Sequence, residues 1–296
     1  MKNLIIAILV VILLVAGWYF FIRPSTTDVI NQVPAGVTPT DQPADVTDDT
    51  PTPVEPDGGI GDGAGPVPVV TIGQSVGGRD IKAYRFGNGS VDILVVGGIH
   101  GAYAPNTSEL ATRLIAHAEE NASFVPEGVT LHVIPNLNPD GLATGASPAG
   151  RFNANNVDLN RNFDCEWQAE GVWRSQPVSG GDAPFSEPEA AALRDYVAEI
   201  TPAAAVVYYA ADGGVYASSC RNGVSAETLD LTNTYADAAD YTANEEFDFY
   251  AITGDAVNWM ASEGVPAISV LLTNYSATEW EQNRAGLAAV MDVFAE

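Results

Sequence analysis

Four apolar runs of strand length constrain the fold of this 296-residue chain more than any other feature. Val91 to Gly97 reads as a buried strand, Thr130 to Pro135 and Pro266 to Leu272 as further strands, and Ala203 to Tyr209, almost wholly apolar, as a central one. Between them lie stretches of helical period. Asn106 to Ala118 reads as a helix capped by Asn106, with Glu109 three residues on. Ser186 caps a second that runs to about Ile200, with Glu189 completing a capping box. A short helix spans Gly254 to Glu263. The last, Ala277 to Ala295, carries Trp280, Leu287, Val290 and Phe294 at helical spacing. Strands alternating with helices predict one α/β/α domain with a mixed, twisted sheet, over residues 69–296.

The first part of the chain has a different character. Leu4 to Ile22 is an apolar run close to the roughly 20 residues that a helix needs to cross a bilayer, so residues 1–23 read as a transmembrane anchor. Cleavage as a signal peptide is the alternative, although Gly17-Trp18-Tyr19-Phe20 offers no good small-x-small site. Residues 24–68 are dominated by Pro, Thr, Asp and Gly. Such a segment buries too little apolar surface to offset its ordering entropy and reads as a disordered stalk.

Net charge sets the compartment and excludes some partners. At -26, with lysine only at positions 2 and 82, the surface repels nucleic acid and anionic bilayers, so membrane contact is expected through the N-terminal helix alone. The acidic remainder and the pair Cys165 and Cys220 favour a globular domain outside the cytoplasm. There an isolated cysteine pair reads as one disulfide, with two buried thiols as the other reading.

The densest site signal is Pro135-Asn136-Leu137-Asn138-Pro139-Asp140-Gly141, followed by Arg151 and by Asp158-Leu159-Asn160-Arg161-Asn162-Phe163. Asparagine, glycine and proline at this density mark a polar loop at a strand's end, where α/β ligand sites lie. With Gly97-Gly98-Ile99-His100-Gly101 upstream and Gly213-Gly214-Val215-Tyr216 downstream, these motifs closely resemble the signature of the carboxypeptidase A-like zinc metallocarboxypeptidases. The resemblance covers roughly Val69 to Glu296 and implies a carboxypeptidase-like fold. In that family a His-x-x-Glu motif and a later His hold one zinc, and a glutamate near the carboxyl end is the general base.

Against that pattern the chain departs three times. His100 stands in the first ligand's place, but the partner glutamate's position holds Tyr103, or Ala104 if one residue is inserted, and Glu109 suits a helix cap better. No histidine lies beyond His132, so the later ligand's slot falls on Tyr209 or Ala210, while Asp212 sits in a glycine-flanked turn. The strand expected to carry the base places Leu271 there, and a leucine accepts no proton. One imidazole holds zinc poorly, because affinity comes from several deprotonated ligands fixed together.

The other half of the pattern is intact. By resemblance, Asn160 and Arg161 match the pair that grips a substrate's terminal carboxylate, Arg151 the arginine facing the oxyanion, and Tyr250 the mobile tyrosine that closes on bound peptide. The expectation is a noncatalytic homologue that binds peptide C-termini and carries no cofactor. Two alternatives stand beside it: an active zinc carboxypeptidase with unorthodox ligands such as His100 and Asp212, and a structural surface protein.

Overall fold

A computed structural model describes residues 68–295. The anchor expected over residues 1–23 and the stalk expected over residues 24–68, apart from Pro68, lie outside the described residues. Among those described, no helix is long and apolar enough to cross a membrane.

The described residues form ten strands: β1 (Val69–Gln74), β2 (Asp80–Gly87), β3 (Val91–Val96), β4 (Val129–Ile134), β5 (Glu170–Trp173), β6 (Gln176–Ser179), β7 (Ala204–Ala210), β8 (Gly214–Ala217), β9 (Thr242–Asn244) and β10 (Ala267–Leu272). Eight of them form one sheet in the order β1-β2-β4-β3-β7-β10-β8-β9. Strands β4, β3, β7 and β10 run parallel, whereas the β1–β2, β2–β4 and β10–β8 pairs are antiparallel and β9 pairs parallel with β8, so the sheet is mixed. The strand β7 lies between β3 and β10, as its unbroken apolar run implies, and β5 and β6 form a separate hairpin.

Among the described residues six α-helices accompany the strands: α1 (Pro105–Glu120), α2 (Pro139–Ala143), α3 (Pro188–Ile200), α4 (Ala226–Ala239), α5 (Ala256–Ser262) and α6 (Trp280–Ala295). Two apolar cores flank the sheet. One joins Leu193 and Val197 of α3 and Trp259 and Met260 of α5 to Leu94, Val96 and Val207. The other joins Leu110 and Leu114 of α1, Tyr235 of α4 and Leu287 and Val290 of α6 to Ile93, Val95 and Val206. Alternate residues of one strand thus serve opposite layers, the arrangement that period-two geometry dictates.

Two helix caps differ from expectation for one reason. Pro105 and Pro188 occupy the first helical turns, where the missing N–H and fixed φ of proline fit without cost, and this moves each cap one residue upstream of its proline. Asn106 is therefore buried inside α1, and its Nδ2 donates to the carbonyls of Asn274 and Ala277 at 2.7 and 2.9 Å. Ser186 is likewise no cap. Its hydroxyl meets the Glu187 carboxylate, and Glu189 accepts from Val76 N and Asn153 Nδ2 instead of closing a capping box.

Candidate binding site

The site forms where the parallel strands end. Just past β3, His100 follows the turn at Gly98, whose φ of +68° and close approach to Asn136 tolerate no side chain. Tyr209 and Ala210 finish β7, Leu271 is near the end of β10, and the asparagine-rich loop after α2 brings in Arg151, Asn160 and Arg161. Together with Tyr250 these residues line one cleft of about 710 Å³. Sequence reasoning named all of them, but not the cleft's remaining walls.

Arg151 is 3% exposed and fixed on two sides. Its Nε donates to Asp158 Oδ2 at 2.8 Å, and its guanidinium carbon lies 4.6 Å from the centre of the Trp173 ring. Burial works to raise the Asp158 pKa, but the guanidinium groups of Arg151 and Arg161 outweigh it and hold the carboxyl below the usual range. Asp158 therefore stays an anion in the interior. Its other oxygen accepts from Asn160 N, which shapes the turn presenting Asn160 and Arg161.

Arg161 is fully buried, and its donors can be counted. Nε and Nη2 donate to the Val172 carbonyl at 3.3 and 2.7 Å, and Nη1 to the Asn160 carbonyl at 2.6 Å. A guanidinium has five N–H bonds, so two are uncommitted among the described residues. Beside it, Asn160 Oδ1 accepts from Tyr209 Oη at 3.0 Å and from Ala256 N at 3.2 Å. Both acceptor directions of the amide are thereby filled, and Nδ2 makes no hydrogen bond among the described residues. Tyr250 is half-buried over this pair, with its ring 5.9 Å from the Arg161 guanidinium carbon.

Cys165 and Cys220 form a disulfide with Cα atoms 6.0 Å apart, so the reading as two thiols does not hold. The bridge ties the segment after Phe163 to the loop that follows β8.

His100 is 5% exposed, and neither ring nitrogen has a hydrogen-bond partner. Its Nε2 lies 3.7 Å from Asp158 Oδ1, too far for a hydrogen bond. Burial, with the Arg151 charge added, pushes its pKa well below the ordinary value and keeps the imidazole neutral. The residues around it do not fit a zinc ion held by three protein ligands. Tyr103 turns to an aromatic cluster, its ring 5.0 Å from Trp173 and 4.9 Å from Tyr275 and its hydroxyl 2.9 Å from that of Tyr275. Tyr209 faces His100 with ring centres 5.5 Å apart, but its hydroxyl is engaged by Asn160. Ala210 has no donor atom. Asp212 is taken by the Tyr216 hydroxyl, and Glu109 is exposed on α1. Among the described residues no three His, Cys, Asp or Glu side chains converge. The two other histidines lie elsewhere: His132 bonds Asp92 and Tyr196, and His117 packs on Phe124 and Trp280.

Three features of the site went unnoticed in the sequence. The Tyr103–Trp173–Tyr275 cluster has no sequence signal, since its members lie far apart along the chain. The bond from Tyr209 to Asn160 joins positions 49 apart. Asp255 on the cleft floor had one cue, an acid set between Gly254 and an apolar helix.

Comparison with known proteins agrees with this geometry. The zinc carboxypeptidase family profile matches residues 65–276. Murein peptide amidase A of Escherichia coli K12 is 34% identical over 128 residues, 36% of this chain and 51% of that protein. An inactive metallocarboxypeptidase of Talaromyces stipitatus is 26% identical over 155 residues, 43% of this chain and 26% of that protein. The chain thus spans about half or less of the length of these curated relatives. Among solved structures, carboxypeptidase A of Helicoverpa armigera superposes with a TM-score of 0.64 at 21% identity, covering 77% of this chain and 68% of that one. Murein-tripeptide amidase of Escherichia coli O157 gives 0.57 at 22%, covering 79% and 94%. At these identities the structural likeness is one of fold.

Proposed function

We propose that this chain, which belongs to the zinc carboxypeptidase family, binds peptide C-termini without cleaving them. The observation that carries the reading is the contrast between two halves of one cleft. On one side Asn160 Nδ2 and the two uncommitted Arg161 N–H bonds are free to receive a carboxylate. On the other, His100 has no co-ligands, and Leu271 stands where the family's general base belongs. A terminal carboxylate laid against Arg161 and Asn160 gains charge-assisted hydrogen bonds, while no group is placed to activate water.

Peptides of the cell wall or of other extracellular proteins are the ligands this reading favours. It takes the N-terminal segment as a single-pass anchor that holds the domain outside the cytoplasm. The murein peptide in the name of one relative belongs to the same chemical class. Hydrogen bonds to a charged group contribute about 1.5–3 kcal/mol, so affinity is micromolar or weaker unless the side pocket adds to it. Isothermal titration with a short peptide and with its C-terminal amide tests the reading. Tighter binding of the free acid is the expected result, and equal binding of both removes the proposal.

A further inference from the structure

Consecutive residues of the β5–β6 hairpin touch both arginines of the cleft. The hairpin reverses at Arg174 and Ser175, whose φ of +48° and +62° give the tight left-handed turn that lets its two strands pair along their whole length. Gly171 meets Arg161 so closely that a Cβ there would lie 2.8 Å from Arg161 Cδ and 3.1 Å from Cγ. The next residue supplies the Val172 carbonyl, which accepts from both Nε and Nη2 of Arg161. Trp173 follows, its ring 4.6 Å from the Arg151 guanidinium carbon and braced edge-on by Tyr103 at 5.0 Å. On the other strand the Ser179 carbonyl accepts from Asp158 N at 2.9 Å, and Asp158 is the anion that holds Arg151 Nε.

We infer that this hairpin is the positioning arm of the cleft, with two separate settings: Gly171 places Arg161 for the ligand's terminal carboxylate, and Trp173 places Arg151 for the carbonyl of the ligand's last peptide bond. The inference rests on the carboxylate-binding reading and adds how its two contacts are kept at a fixed separation. A long side chain left free loses rotamer entropy when it grips a ligand, whereas one already fixed does not. Arg161 has given up that freedom to the Val172 carbonyl and the close approach of Gly171. Arg151 is restrained by Asp158 at Nε and by the Trp173 ring on its face, and its remaining N–H bonds have no acceptor among the described residues. Gly171 does not line the cleft, so it reaches a ligand only through Arg161. Trp173 does line it, but an apolar contact with the ligand would survive replacement by leucine, and a ring face for the guanidinium would not.

Calorimetric titration of the full chain in detergent with Ala-Ala-Ala and with its C-terminal amide tests the assignment. Gly171→Ala should weaken binding of the acid by about tenfold and leave the amide nearly unchanged, because only Arg161 is displaced. Trp173→Leu should weaken acid and amide alike by about fivefold, and Trp173→Phe, which keeps a ring face for Arg151, should recover most of that loss. Equal losses in the leucine and phenylalanine variants, or no loss in either, would overturn the role of Trp173. A Gly171→Ala protein that keeps the wild-type preference for the acid would overturn that of Gly171. Disappearance of the preference in Trp173→Leu would make the hairpin one undivided support and sink the two-setting inference. Where Gly171→Ala folds poorly, the Trp173 pair decides the matter. If the wild-type protein binds acid and amide equally, the carboxylate-binding reading fails and this inference with it, whereas each of the variant results leaves that reading standing.

Discussion

Tyr209 donates its hydroxyl proton to Asn160 Oδ1 at 3.0 Å, a bond that joins the end of β7 to the asparagine-rich loop across the cleft wall. Burial, helped by the nearby Asp255 charge, pushes the Tyr209 pKa well above its ordinary value, and the phenol remains a donor throughout the physiological range. With Ala256 N filling the second acceptor direction, the Asn160 amide has one orientation, Nδ2 toward the cleft. A buried phenol thus holds the Asn160 amide in place.

Removing that hydroxyl tests the relationship. Tyr209→Phe keeps the ring against His100 but frees the Asn160 amide to rotate, at a cost of about 1 kcal/mol, or about a fivefold weaker affinity for a peptide acid. Titration should show the acid-over-amide preference shrinking with little change in affinity for the amide. A variant that keeps the full preference would show that Asn160 is oriented by Ala256 alone.

Zinc follows from the donor set around His100. Protein purified without chelator should carry far less than one zinc per chain, and chelator should leave its thermal transition unchanged, because a lone imidazole lacks the several fixed ligands that make binding tight. Elemental analysis with paired melting curves measures both. Stoichiometric zinc that disappears in His100→Ala would favour the active-enzyme alternative.

Which parts of this were legible in the sequence depended on burial. The strands β3, β4, β7 and β10 are covered on both faces, so their apolar runs announced them. Strand β2 alternates exposed with buried residues, and β8 and β9 are only 4 and 3 residues long, too short to stand out from loops. Asn106 and Ser186 carried genuine capping patterns, but the prolines next to them fixed where the helices begin. At the site, motif residues adjacent in sequence were readable. Asp255 and the Tyr209 bond were not, because their meaning comes from contacts between distant elements.

The disulfide supplies a third prediction. Its cysteines are 55 positions apart, and a loop of that length gives about 4 kcal/mol in the chain-entropy picture. Reduction should lower the melting temperature and weaken peptide binding as well, since Cys165 follows the Asn160–Phe163 turn and Cys220 adjoins Ser219 and Arg221 of the cleft. Melting and titration with and without reductant measure the two effects. A lower melting temperature with unaltered binding would mean that the cleft is held by its hydrogen bonds alone.

Asp255 should also leave a signature in stability. Burial raises its carboxyl pKa from 3.8 to about 6 in the folded protein, whereas the unfolded chain keeps about 3.9. Between about pH 4 and 6 the folded state therefore holds a proton that the unfolded state has released, and this contribution to stability falls as pH rises through that window. Arg161 and Tyr209, the ionisable groups that bear on it, each keep one protonation state there. Above pH 6 the full cost applies, about 3 kcal/mol for a shift of about two units. Asp255→Asn removes the charge without changing the side chain's shape, so the variant should be the more stable protein at pH 7.5 and lose that advantage near pH 4. Urea unfolding at the two pH values measures the difference. Equal stabilities at pH 7.5 would mean that hydrogen bonds to the carboxylate already offset its burial.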